Sequence, residues 1–174
     1  HPEARLVVWK KDGEVYDRVA VRNEHTRREE WLTVKPDAFF ILNYRGRDYP
    51  FCFEADRSTI TQQSGNNWRD MARKIVAYWN WREQRRHTKL LGIEHFRVLT
   101  MTISEARREN MRRVVQEAAR QKSCKGLLPG MFLFGREGDY AIDRPESVLQ
   151  PLWFSAKDID GHRPHTGRRY SLIE

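Results

Sequence analysis

Lys35 to Asp56 reads KPDAFFILNYRGRDYPFCFEAD, and the fold is decided in this stretch. Phe39 to Leu42 is an unbroken apolar run and Phe51 to Glu54 is nearly one, while Asn43 to Asp48 between them supplies a glycine and charges. That order predicts a β-hairpin with a longer loop. Pro36 has no backbone donor, so it belongs at the start of the first strand, which puts Asp37 where that strand enters the sheet. Alternation along the second strand places Cys52, Glu54 and Asp56 on one face and Phe51, Phe53 and Ala55 on the other. Two acids on one face repel each other. Beside a third carboxylate on the adjacent strand, they suit a hard divalent cation such as magnesium or manganese.

Pro36-Asp37, a hairpin and then Glu54 in an apolar strand resembles the PD-(D/E)XK nuclease superfamily. More narrowly, PDAFFIL, FEADRST and KIVAY are similar to segments of the replication-relaxation family of plasmid and mobile-element proteins. The resemblance covers about Lys35 to Val115. It implies a restriction-endonuclease-like α/β fold, a central mixed β-sheet flanked by α-helices. It also implies Asp37 and Glu54 as catalytic metal ligands and hydrolysis of phosphodiester bonds in DNA with magnesium or manganese. Asp56, on the face of the strand that carries Glu54, is the candidate for an additional metal ligand. Where the superfamily carries a lysine two residues after the second acid, this chain has Asp56, which cannot offer positive charge to a phosphate. Lys74 precedes Tyr78 by four residues, a KxxxY pattern similar to the QxxxY of recombination-type exonuclease relatives. The resemblance therefore gives Lys74 the catalytic role of the missing lysine. In the family such a domain usually follows a winged helix, and a chain beginning at His1 is expected to be an excerpt or processed product of a longer protein.

A chain of 174 residues with 39% hydrophobic content can bury one proper core, so a single domain over residues 1–174 is expected. Lysine and arginine number 32 against 24 acids, a net charge of +8. That balance favours an anionic partner such as DNA over a membrane, because no long apolar stretch accompanies it. Cys52 and Cys124 are the two cysteines, which indicates neither a disulfide framework nor a zinc site. With no signal peptide visible, the cytoplasm is the expected compartment.

The basic excess is concentrated after the acids: from Arg57 to Leu91, eight basic residues face two acidic ones. Arg57, Arg69, Arg73, Arg82, Arg85 and Arg86 are the candidate nucleic-acid contacts, since a guanidinium can pair with a phosphate through two parallel hydrogen bonds. Trp79, Trp81 and His87 would stack on bases if they reached the surface, although burial is the expected fate of the tryptophans.

Around this centre, Leu6 to Trp9 and Val15 to Val21 are predicted strands that extend the sheet across a turn at Asp12-Gly13. RNEHTRREE is a polar connection whose Glu24, Glu29 or Glu30 could approach the metal. RSTITQQSGNN reads as a loop. Trp68, Met71, Ala72, Ile75 and Trp79 recur at helical spacing and predict a helix from about Asn67 to Arg86. His95 to Ser104 is a strand buried on both sides, and Ser104 caps a helix from Glu105 to about Lys122. The arginines of that helix form a second phosphate-facing surface or simply its solvated side. Met131 to Phe134 and Val148 to Phe154 are short strands, the latter placed at an edge by Pro151. His162 and His165 lack the companions a metal site needs.

Three functions fit these features: a metal-dependent nuclease, a nuclease-fold DNA-binding module without catalysis, and a protein-interaction module of a replication or relaxation complex. Salt-sensitive DNA binding that survives loss of Asp37 and Glu54 would mark the second. Little DNA affinity at physiological salt would mark the third.

Overall fold

The computed structural model of the chain describes residues 3–23, 26–56, 66–141, 143–160, 163–164 and 168–173. The central hairpin forms as expected, from β4 (Ala38–Tyr44) and β5 (Arg47–Asp56), with β1 (Ala4–Lys11) antiparallel on the far side of β4. Its turn is tighter than the sequence suggests. Arg45 and Gly46 alone connect the strands, both at positive φ (52° and 79°), the backbone that matches the twist of a two-residue hairpin. Pro50 lies inside β5, opposite Ile41. The other neighbour of β5, β6 (Arg97–Thr102), begins its pairing only at Phe51, so that flank of β5 needs no donor from Pro50.

From β5 the chain crosses over α1 (Asn66–Glu83) and the short α2 (Arg86–Leu91) into β6, then over α3 (Glu105–Ala118) into β7 (Phe132–Arg136). Both crossovers return the strand parallel to its predecessor, whereas β8 (Trp153–Ser155) is antiparallel to β7. The short pair β9 (Ile159–Asp160) and β10 (Arg163–Pro164) stands apart, and β11 (Arg169–Tyr170) closes the row. The protein is thus α/β, with a seven-stranded mixed sheet in the order β1-β4-β5-β6-β7-β8-β11. β8 is therefore not the edge strand that Pro151 predicts. Pro151 precedes β8, where no ladder hydrogen bond is required of it, and β11 is the outer neighbour.

β2 (Asp17–Arg22) does not extend this sheet. It pairs with β3 (Glu29–Val34), a strand taken from what the sequence reads as a polar connection and its continuation WLTV. Val19, Val21, Leu32 and Val34 turn their side chains onto α1, so that helix lies between the small sheet and the large one. The consequence is visible in its burial: Ile75, Val76, Ala77, Tyr78 and Trp79 are consecutive and all buried. A helix covered on two sides is apolar around most of its circumference. Trp79 and Trp81 are core residues as expected, each contributing about 1.5–3 kcal/mol through burial.

α1 ends at Glu83, earlier than predicted, because Arg85 takes a left-handed conformation (φ 53°) that redirects the chain into α2. His87 follows and is buried, with ring nitrogens 3.3 Å from the Trp81 carbonyl and 3.1 Å from that of Glu94. It is fixed against the core and does not offer a ring to a base. Ser104 caps α3 as expected, accepting from the Arg107 amide at 3.3 Å, but the helix stops at Ala118 and Lys122–Cys124 form a separate 3-10 turn. No helix among the described residues is long and apolar enough to cross a membrane.

Candidate active site

Asp37 stands just outside β4, held there by buried Pro36 before it and Ala38 after it. Its Oδ2 accepts the Ala55 amide of β5 at 2.7 Å, which ties the start of one hairpin strand to the end of the other. One residue before Ala55, Glu54 points to the helix-covered face and is only 6% exposed. A buried carboxylate requires partners. Glu54 obtains both from α1: the Tyr78 hydroxyl donates to Oε1 at 2.6 Å, and the Lys74 ammonium donates to Oε2. Lys74 and Tyr78 are one helical turn apart, so a single face of α1 delivers both to one carboxylate.

Burial raises the pKa of Glu54 above the ordinary carboxylate value, and the Asp37 charge adds to this; the Lys74 ammonium and the Tyr78 hydroxyl pull the other way without cancelling it. For Lys74, burial disfavours the ammonium, but the Glu54 carboxylate and then Asp37 and Asp56 outweigh that and hold its pKa above normal. Tyr78 is pushed well up by burial and by the adjacent Glu54 charge, so it stays a hydrogen-bond donor. The Cys52 thiol, two residues back on the same face, is raised by the same two causes and stays protonated.

Asp37, Glu54, Lys74 and Tyr78 share a cavity of about 350 Å³ with Thr33, Asp12 and Lys35. Lys35, which the sequence reading passes over, is paired with Asp12 at 3.0 Å on the rim. Its signal was in the quoted stretch, since residues 35 and 37 lie on the same side of an extended chain.

Asp56 acts on the Lys74 charge but is bound to other partners. The Arg107 guanidinium clasps both its oxygens, through Nη2 at 2.8 Å and through Nε, while the Thr102 hydroxyl donates at 3.0 Å. It lines a second cavity of about 210 Å³ with Phe53, Thr102 and Tyr140. Among the described residues no group of three or more acids, histidines or cysteines is placed to hold a metal ion together. The carboxylates that line the first cavity are Asp37, Glu54 and Asp12, the last of them paired with Lys35.

The candidate phosphate contacts divide. Arg57 lies outside the described residues, as do Glu24, His162 and His165. Arg86 is committed to Asp17, Arg73 to Glu30, and Arg82 to Glu83 at 3.5 Å while covering the Trp79 ring at 5.4 Å. Arg69 and Arg85 are exposed. Glu29 is exposed at the start of β3, and neither it nor Glu30 lines the carboxylate cavity. On α3, Arg108 and Arg112 are buried, so that helix does not present a uniform cationic surface.

Compared with known proteins, the chain matches no family profile, no curated protein and no solved structure.

Proposed function

We propose that the chain is a DNA-processing protein of a mobile element with a restriction-endonuclease-like fold, acting in the cytoplasm as a divalent-metal-dependent phosphodiesterase. The observation that carries this reading is the convergence of Lys74 and Tyr78 on Glu54 beside Asp37 in one cavity. It supplies, from α1, the cation that the motif lacks after its second acid. The resemblance to the replication-relaxation family adds the biological setting, with DNA and the proteins of a replication or relaxation complex as partners.

Asp37 and Glu54 would hold magnesium or manganese, which polarises a phosphate ester and acidifies water when bound. The chain's own residues do the rest. Asp37 is positioned by the Ala55 amide, so its carboxylate is fixed before any cation arrives. Tyr78 anchors one oxygen of Glu54 and sets its orientation. Lys74, half-exposed and kept protonated, offers positive charge to an entering phosphate. Lys35, paired with Asp12, lines the same cavity and would be a second cation for the phosphate.

One observation favours a second reading. Both oxygens of Glu54 are already engaged by Lys74 and Tyr78, a self-neutralised network that would serve equally in a nuclease fold retained for binding alone. Cleavage of supercoiled plasmid and of single-stranded DNA with magnesium or manganese separates the two. The nuclease reading expects cutting in wild type that is lost in Asp37→Asn and Glu54→Gln. DNA retained without cutting in any protein assigns the chain to the binding reading.

A further inference from the structure

The face of the large sheet turned away from α1 and α3 is covered only in part. Over β6, β7 and β8 it is closed by Tyr140, Val148, Tyr170 and Ile173, which pack around Leu99, Leu133 and Trp153. Over β1 it is open among the described residues, with Trp9 59% and Leu6 55% exposed, and it closes toward β5, where Phe51 is buried.

The register dictates what stands there. Trp9 pairs with Phe40 and Phe40 with Phe51, giving a row of rings across three strands, with centroids 5.9 Å and then 5.2 Å apart. The next row is Leu6, Leu42 and Tyr49, and beyond it stand Tyr44 and Arg47. Two guanidinium groups already lie on rings of this surface: Arg47 over Tyr49 at 5.4 Å and Arg45 over Tyr44 at 5.1 Å. The charged side chains that β1, β4, β5 and β6 direct to this face are Lys11, Arg47 and Arg97. All are cations. The strand acids Asp48, Glu54 and Asp56 are on the opposite face by alternation.

At the Tyr44 end Arg45 is paired with Glu3 at 2.9 Å, and a flat surface of rings to which the strands themselves add only the cations Lys11, Arg47 and Arg97 has a specific complement. It needs a partner that is planar and aromatic at short intervals and negative along its length. We infer that this face is a stacking platform for single-stranded nucleic acid, whose unpaired bases lie on Trp9 and Phe40 while its phosphates meet Arg47 and Lys11. A duplex keeps its bases stacked on one another and cannot use the rings. From Tyr44 to Ala38 the platform runs about 20 Å along β4, room for several nucleotides. The same two strands carry Asp37 and Glu54 at their other end. The inference extends the proposed role in DNA processing by naming the strandedness of the substrate, and it rests on that reading.

The test is fluorescence anisotropy of labelled oligothymidine with the full chain in EDTA, so that binding is read without cleavage. Wild type is expected to bind the oligomer more tightly than a duplex of equal length. Trp9→Ala and Arg47→Glu, both at exposed positions, are expected to keep the wild-type circular dichroism and melting curve while each weakens oligothymidine binding roughly tenfold. Wild-type affinity in both folded variants overturns the platform. So does capture of poly-L-glutamate without oligothymidine, which would assign the face to an acidic protein. Plasmid cleavage measured in parallel keeps the two proposals apart, because a chain that cuts without this binding retains the active site and loses the platform.

Discussion

Lys74 on α1 and Glu54 on β5 form an ion pair in which the Glu54 side chain is 7% exposed and the Lys74 side chain is half-exposed. The asymmetry matters, because one partner cannot reach water and the other can. Lys74→Met keeps the aliphatic stem that packs on the helix flank and removes the charge. Glu54 is then left with the Tyr78 hydroxyl alone. The expected result is a loss of about 1–2 kcal/mol in urea unfolding, together with loss of metal-dependent cutting. Cutting that survives in a folded Lys74→Met protein removes Lys74 from the chemistry.

Glu54 also sets a pH dependence. Its pKa lies above the ordinary 4.5, so the contribution of this group to stability is fully present below 4.5 and is lost as pH rises through the folded value. A divalent cation reverses the sign, since it binds the ionised carboxylate and competes with the proton. Manganese is therefore expected to raise the melting temperature more at neutral pH than at pH near 4.5, and Glu54→Gln to abolish that difference. A manganese shift that is the same at both pH values would place the ion elsewhere.

Asp17 behaves in the opposite way. Burial works to raise its pKa, but Arg86, the Arg18 amide and the Trp81 indole outweigh this and hold it below 3.8. The Trp81 Nε1 donates at 2.9 Å and the Arg86 Nε at 3.0 Å, linking β2 to the end of α1 and the start of α2. Such a group stabilises the fold above its ordinary pKa, and the contribution is lost as pH falls through the folded value. Asp17→Asn is expected to cost about 1–2 kcal/mol at neutral pH, with the gap to wild type closing below pH 3.8. Denaturant titrations at a series of pH values measure that gap directly.

What the sequence reveals follows from how local each signal is. The hairpin, the helical stripe of Met71, Ile75 and Trp79, and the facing of Glu54 are properties of short windows and could be read from them. Lys74 was singled out by the KxxxY resemblance, whereas its pairing with Glu54, and that of Tyr78, is visible only in the structure. The small sheet was not, because Glu29 and Glu30 mask a strand whose apolar side chains, Leu32 and Val34, acquire meaning only when α1 lies beneath them. Asp56 was misleading for the same reason. Alternation places it correctly beside Glu54, yet no local rule reveals that Arg107, 51 residues later, claims both its oxygens. The basic stretch likewise conceals its pairings, since Asp17 and Glu30 come from strands far from Arg86 and Arg73 in sequence.

Arg112 tests how far a basic helix can be read from charge alone. It is 2% exposed, its Nε donates to the Ser155 carbonyl at 3.1 Å, its Nη1 donates to Glu109 at 2.5 Å, and its guanidinium lies 5.6 Å from the Phe154 ring. Arg108 covers the same ring at 3.7 Å. These contacts join α3 to β8 and leave no room for a phosphate at Arg112. Arg112→Ala leaves the Glu109 carboxylate with Arg108 as its remaining cation and the Ser155 carbonyl short of a donor, a loss expected at about 1–3 kcal/mol. The neighbouring Arg113→Ala, on a partly exposed position, is expected to change stability by less than about 0.5 kcal/mol. Chemical denaturation of the two variants gives the comparison. A small, equal effect in both would show that Arg112 is solvated and would return α3 to the list of phosphate-facing surfaces. At temperatures where Arg112→Ala remains folded, its DNA affinity and the salt dependence of binding are expected to match wild type, because a guanidinium that never meets the phosphate releases no counterion when it is lost.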